Sequence, residues 1–505
     1  MRFSVRVRTM TLAIVAVCLA SCSVATDPVV PEVIPDSVVG AAVPALDPEG
    51  IPGAIPVVMN TDGTAAVRAH WVYLNGAEPY NDHVDARLLG ILDQHAGGRY
   101  NPSVPDTGKP SMANGLKLND EVILAGGPML GTRLTRSTTV NGSTTTISVT
   151  TEYTDLSTGT VFGGSALVSA EGVETIRKLL VEAEQPNGQH PEAPAGPVST
   201  TAGSSDAAPS QPATEEPLPA DLLLGGAAFN PSGELVIPFT ADPVSGVAFT
   251  TPHVVHVSAR AAAPLLSDAG RQMQQLAGTG QPLTARTPAA AGQEHINCDL
   301  LPCAALTYDD GPNTQTTRLL GILAKHSIHA TFFQQGVSVA SFPAIAAAVA
   351  AAGHSIGNHT MNHPYLTKLS AAAITAEVQG ASATILQASG QAPTFLRPPY
   401  GASNALVKNT VGMPMINWSV DSLDWLSRDK NAFIPTVLNL VRPGAVILQH
   451  DIHATTVDGQ DQLITALQEK GYHLVTVPQL FHGIELQKGH GYFCRGTEYP
   501  CTPGR

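Results

Sequence analysis

From about residue 293 onward, short apolar runs alternate with helical ones in regular order, and this constrains the fold more than any other feature of the chain. Strands are expected near 304–308, 330–334, 354–358, 394–396, 413–420, 445–449 and 473–477, with helices over 316–326, 342–352, 370–388 and 462–470. Strand, helix, strand repetition returns each strand beside the last in the same direction, so the sheet is parallel. Seven repeats in roughly 180 residues are compact for a barrel. The expectation is an α/β fold, a distorted seven-stranded (β/α) barrel rather than an open sheet.

The unusual polar residues fall just after the strands, at the face where such barrels place their chemistry. After the first strand come Thr307, Tyr308, Asp309, Asp310, Gly311 and Pro312. Neighbouring residues at a strand end point differently, so one carboxylate can bind a metal while the other faces a substrate. A single Asp before Gly-Pro would be an ordinary helix cap; two invite more. After the third strand come His359, Thr360, Met361, Asn362, His363 and Pro364. Two histidines four apart on one side of a helical turn can share a divalent ion, with Asp310 as third ligand. Two imidazoles and a carboxylate serve catalytic zinc and non-haem iron alike. The parallel βα repeat favours the hydrolytic reading by analogy of architecture.

Three more clusters follow later strands: Arg397, Pro398, Pro399, Tyr400, Gly401; Asp421, Ser422, Leu423, Asp424, Trp425; and His450, Asp451, Ile452, His453. Each alone could be an ion pair, a helix cap or a surface histidine. Five on one barrel face are hard to assign to coincidence.

In that order, TYDDGP, HTMNHP, RPPYG, DSLDW and ILQHD resemble the five motifs of the NodB-homology polysaccharide deacetylases, carbohydrate esterase family four, over about 298–481. The resemblance implies one divalent metal ion, zinc in most of the family, held by Asp310, His359 and His363. It makes Asp309 the general base, oriented and kept ionised by Arg397. Tyr400 offers its backbone N–H to the oxyanion, and His450, supported by Asp424, is the acid that protonates the leaving amine. Tyr400 and Trp425 would wall the acetyl pocket or stack on a sugar ring, where plain packing is the other use of such rings. The implied reaction is N-deacetylation of N-acetylglucosamine units, peptidoglycan first. Chitin N-deacetylation, xylan O-deacetylation and an envelope-binding or sensing protein with secondary deacetylase activity stay open.

The N-terminus reads as an export signal over residues 1–21. Arg2, Arg6 and Arg8 precede an apolar run, Thr11 to Ala20, too short to span a bilayer. Leu19, Ala20, Ser21 and Cys22 look like a bacterial lipobox, with Cys22 as the lipidated first residue of the mature chain. The expected location is outside the cell, anchored by lipid to the membrane and facing the wall. Loss of the signal leaves 24 basic against 41 acidic residues, which argues against a nucleic-acid partner. Cys298, Cys303, Cys494 and Cys501 are an even set in an oxidising compartment. The simplest pairing is Cys298 with Cys303 and Cys494 with Cys501, although a cross-pairing that clamps the two ends of one domain stays open.

Residues 22–54, rich in Pro, Val and Ala, read as a tether, and 278–292 as a linker to the catalytic domain at 293–505. Between them, 55–277 reads as a separate α+β domain with a disordered insert at about 185–219. Thr-rich runs around Asn141 and Gly142 signal a hairpin with Ile147, Val149 and Tyr153 on one face. The order of its elements weakly resembles the RsiV-like domain of some cell-wall deacetylases; no residue is carried over from that likeness.

Overall fold

The computed structural model describes residues 30–33, 42–61, 66–104, 115–183, 219–241 and 248–495. Cys22 and Cys501, the signal segment and nearly all of the expected insert lie outside them.

Two sheets build the first half. One has the order β2 (Ala54–Asn60), β3 (Val67–Leu74), β4 (Gly115–Gly126), β5 (Met129–Val140), β6 (Ser143–Asp155), β7 (Thr160–Gly163). All its neighbours are antiparallel except β3 and β4. A parallel pair needs a crossover, and helix α1 (Glu78–Ala96) supplies it. Tyr80, Val84, Leu88 and Leu92 recur every fourth residue of α1 and form its buried stripe. The hairpin sits where Asn141-Gly142 places it, both residues having positive φ and Val140 facing Ser143 across a two-residue loop. The apolar face differs from expectation. A bulge opposite Arg136 and Ser137 shifts the parity, so Ile147 turns to solvent while Thr146, Val149, Thr151 and Tyr153 are buried.

The second sheet has the order β1 (Val30–Val33), β10 (Ala248–Val257), β9 (Leu235–Ala241), β8 (Ala228–Phe229). Its outer strand lies within 22–54, the stretch read from the sequence as a tether. Val30–Val33 pairs antiparallel with β10, and farther on Val43 and Ile51 are buried.

In the second half, β11 (Cys303–Asp309) is buried along its whole length. On one side it pairs with β16 (Ala445–His450), and on the other with β12 (Thr331–Gln334) near its C-terminal end and β17 (His473–Val475) near its start. Outward from β12 lie β13 (Ser355–Asn358), then Leu396, which bridges Asn358 and Met415. From there the chain runs through β14 (Met415–Ile416) to β15 (Val420–Asp421), which pairs with β16. These parallel pairings close on themselves as a small distorted barrel wrapped by helices. The expected strand at 394–396 survives only as Leu396, because Pro393, Pro398 and Pro399 remove ladder donors around it. The expected strand at 413–420 is split, since Asn417 N–H donates to Tyr492 of β18 (Gly491–Tyr492) and Ser419 N–H to Val446. Cys298 and Cys303 are joined by a disulfide, and Cys494 is disulfide-bonded as well.

The two halves, read from the sequence as a first domain and a catalytic domain, meet in the structure. One continuous apolar cluster runs from Trp71, Tyr73 and Leu116 of the first half through Leu300, Leu301 and Phe481 to Phe333 and Val446 of the barrel. Tyr100 Oη donates to the Leu300 carbonyl across 3.3 Å. The expected linker is docked too: Leu283 bridges Gly127, and Ala289 N–H donates to Asn75 Oδ1 at 2.7 Å. Local composition made 278–292 look loose because its partners, Gly127 and Asn75, lie far away in the sequence.

Burying a large apolar side chain contributes about 1.5–3 kcal/mol, so several residues of this cluster together outweigh the stability of a typical domain half. Expressed alone, residues 293–505 should therefore melt well below the barrel transition of the full chain and bind a hydrophobic dye. Equal melting temperatures in calorimetry would show that the shared core contributes nothing to the barrel.

Candidate active site

Asp309 ends β11 and Asp310 follows it in the left-handed region at φ 73°, which turns the two carboxylates apart. Neither caps the next helix, α2 (Thr314–Lys325). Asn313 does so, its side chain accepting from Gln315 N–H in a capping box with Thr316. The ordinary structural use of these aspartates is thus taken by another residue.

His359 and His363 follow β13 in an irregular turn rather than the helical one expected from their spacing, with Thr360 at φ 65° and His363 at φ 59°. Asn358 Oδ1 accepts from Thr360 N–H and Thr360 Oγ1 from His363 N–H, holding the turn. The two Nε2 atoms lie 3.5 and 3.4 Å from the same oxygen, Oδ1 of Asp310. Bonds of about 2.1 Å at a tetrahedral angle separate ligand atoms by about 3.4 Å, so the three donors stand where corners of one coordination shell would. The buried ring of His359 points Nδ1 at the Arg397 carbonyl, 2.7 Å away, which puts the proton there and leaves Nε2 free to ligate. Burial pushes its pKa down to about 3, so the imidazole is neutral as a ligand must be. The residues present fit a divalent cation.

Arg397 lies fully buried beneath this turn. Its Nη1 donates to Asp309 Oδ1 at 2.7 Å and to Thr307 Oγ1 at 2.8 Å, while Nε and Nη2 reach the carbonyls of Ile416 and Asn417. The guanidinium also stacks over Phe333, 4.0 Å from the ring centre. Arg397 orients Asp309 but does not win on charge. Burial raises the Asp309 pKa above the ordinary carboxylate value despite the opposing pull of Arg397.

Asp309 and His450 face each other in the register of β11 and β16. Nδ1 of His450 sits 2.9 Å from Asp424 Oδ1, and Asp424 Oδ2 accepts from the His450 N–H and from Thr456 Oγ1. Burial opposes the charged ring, yet the hydrogen bond and charge of Asp424 lift the His450 pKa to about 9. Asp424 itself is buried and held below its usual value.

Tyr400 adopts φ 61° and stands half-exposed, edge-on to His363 and stacked on Tyr365 with ring centres 3.9 Å apart. Trp425 is half-exposed on the short helical turn that begins with Asp424. Sequence reasoning passed over Tyr365, which directly follows the His363-Pro364 pair. It also gave no role to Thr456, whose hydroxyl completes the shell of Asp424. A Thr one turn into a helix carries no signal of its own. Asp451, next to His450, has a structural place of its own. It is fully buried, its Oδ2 accepts from Thr316 at 2.5 Å, and a Cβ on Gly311 would meet both its oxygens at 2.4 Å. That contact explains the glycine between Asp310 and Pro312.

Residues 298–413 match the family model described as polysaccharide deacetylase. The chain is 40% identical over 190 residues to the peptidoglycan-N-acetylglucosamine deacetylase PgdA of Listeria monocytogenes, covering 37% of this chain and 41% of that protein. It is 37% identical over 192 residues to a peptidoglycan-N-acetylglucosamine deacetylase of Bacillus cereus, covering 36% of this chain and 70% of the relative. It is 38% identical over 194 residues to a chitooligosaccharide deacetylase of a Bradyrhizobium species, covering 35% of this chain and 89% of the relative. Likeness at this level over most of a relative's length means that the chain belongs to the polysaccharide deacetylase family.

Proposed function

We propose that the chain is a metal-dependent hydrolase that removes N-acetyl groups from N-acetylglucosamine units of a polysaccharide, peptidoglycan first. The observation that carries the reading is the convergence of Asp310, His359 and His363 within one coordination shell, flanked by a carboxylate held by arginine and an imidazole held by aspartate. The names of the relatives, two acting on peptidoglycan N-acetylglucosamine and one on chitooligosaccharide, support an amide-linked acetyl group on an amino sugar.

When bound, a divalent cation, zinc by the donor set, would polarise the acetyl carbonyl and acidify a water molecule. Asp309 takes the proton from that water as the oxygen attacks the carbonyl carbon, and Arg397 keeps the carboxylate aimed. The backbone N–H of Tyr400 is the proposed donor to the oxygen that gains charge. His450 then gives its proton to the nitrogen as the C–N bond breaks, leaving acetate and a free amine, while Asp424 stabilises the imidazolium. The half-exposed rings of Tyr400, Tyr365 and Trp425 offer faces on which sugar can rest. We place the enzyme outside the cell, lipid-anchored at Cys22 and facing the wall; the Leu19-Ala20-Ser21-Cys22 run supports this. The first half, by its weak RsiV-like resemblance, serves as a wall-facing accessory.

Acetate release from N-acetylglucosamine oligomers and from purified peptidoglycan tests the reading. Release should vanish on chelation or in Asp310→Ala and return to the wild type with zinc; no release from either substrate by a zinc-loaded chain would sink it. Asp309→Asn should keep the metal and lose at least about a hundredfold in rate.

The pH profile follows from the two held groups. Turnover requires ionised Asp309, so its raised pKa sets an acid limb above the usual carboxylate range. It also requires protonated His450, so activity falls as pH climbs through about 9. Asp424→Asn removes what raises the His450 pKa and should move the alkaline limb down by about one pH unit or more. An unmoved limb would assign it to another group.

Cys22→Ala should shift the chain from the membrane fraction to the soluble extract; unchanged partition would remove the lipid anchor from the proposal.

A further inference from the structure

Away from the barrel face, a second group of ligating side chains converges where the two halves meet. Glu78 and Asp82 stand on the first turns of α1, His295 on the segment entering β11, and His482 just beyond the last barrel residues. Each offers one donor atom, and all four atoms lie within 4.8 Å of one another. Two imidazoles and two carboxylates form a complete four-donor set for a borderline cation of the zinc class. The barrel triad, by contrast, keeps positions open.

His295 is held as a ligand would be. Its side chain is fully buried, and Nε2 lies 2.8 Å from Oδ2 of buried Asp85, whose Oδ1 accepts a short hydrogen bond from Tyr73 Oη. A carboxylate behind a histidine fixes ring orientation and tautomer, the arrangement that supports metal-bound imidazoles. With Nε2 engaged there, Nδ1 faces the cluster, 2.7 Å from Glu78 Oε2. The His482 ring stands edge-on, 5.4 Å centre to centre. Burial opposes the charged ring of His295, and the hydrogen bonds to Asp85 and Glu78 more than offset it. A solvent-open cavity of about 480 Å³, lined by Glu78, Glu294, His295, Gln479 and His482, gives an ion access.

We propose that Glu78, Asp82, His295 and His482 form a second divalent-cation site that fastens the first half of the chain to the barrel. Two ligands come from α1 and one from each side of the barrel's own sequence, so an occupied site ties the halves together at the edge of their shared core. Such an ion binds the folded chain and not the unfolded one, and so raises the melting temperature.

The test uses the full chain with the barrel triad emptied by Asp310→Ala and His363→Ala, stripped by chelator and then titrated with zinc alone. The expected result is one tightly held zinc per chain with a zinc-dependent rise in melting temperature. Adding His482→Ala, an exposed position whose loss leaves the zinc-free melting temperature unaltered, should weaken that binding at least about tenfold and abolish the rise. Absence of bound zinc in the triad-emptied chain, or equal binding with and without His482, would overturn the proposal. His482→Ala in a chain with the triad intact should leave acetate release unchanged, so failure of this site and failure of the deacetylase reading are read separately.

Discussion

A fully buried guanidinium is costly unless its nitrogens are paired, and the way Arg397 meets that demand organises the barrel face. Its side chain ties the end of β11 to the carbonyls of Ile416 and Asn417. Its backbone is equally occupied: the N–H donates to the Asn358 carbonyl, and its own carbonyl receives Nδ1 of His359. A single residue therefore orients the carboxylate nearest the proposed reaction and sets the tautomer of a candidate ligand. Stacking on Phe333 supplies the apolar half of its environment. Lysine, with one point charge and no planar fork, could not satisfy these five partners together.

Around that anchor, the face combines rigid strand ends with turns in the left-handed region. Asp310, Thr360, His363, Tyr400 and Leu423 all have φ between 58° and 73°, none of them glycine. Non-glycine residues held there store strain, which persists only where surrounding bonds over-determine it. The Asn358 and Thr360 hydrogen bonds do so for the histidine turn. Asp424, accepting from His450, Thr456 and Ser422, does so on the opposite side of the barrel. The two sides are electrostatically unlike, one keeping an imidazole neutral and the other favouring its charge.

The candidate site of the barrel was legible because its signals are short. Asp309-Asp310, His359 with His363 and Asp424-Trp425 each reveal themselves within a few residues, and the strand pattern says which end of the sheet they share. What was not legible depends on distant partners. Nothing within 30–33 announces pairing with 253–256, and nothing in 278–292 announces Gly127 or Asn75. The bulge at Ile147 inverts a pattern that reads cleanly on paper, because strand parity survives only while the register does. The histidine spacing suggested a helix; Pro364 and the side chain of Asn358 impose a turn instead. Thr456 and Tyr365 escaped notice since their significance lies wholly in what they touch.

The common core has a bearing on how this architecture can change. A self-contained catalytic unit can be transplanted or refitted with new companions at little cost. Here Trp71, Tyr73 and Leu116 of the preceding half share one apolar cluster with Phe333 and Val446 of the barrel half, so a recombination event at the seemingly loose stretch before residue 293 would leave the barrel's part of that cluster without its partners. Exchange of the first half should thus be confined to partners that bring an equivalent apolar plug, and drift on either side of the contact must be matched on the other.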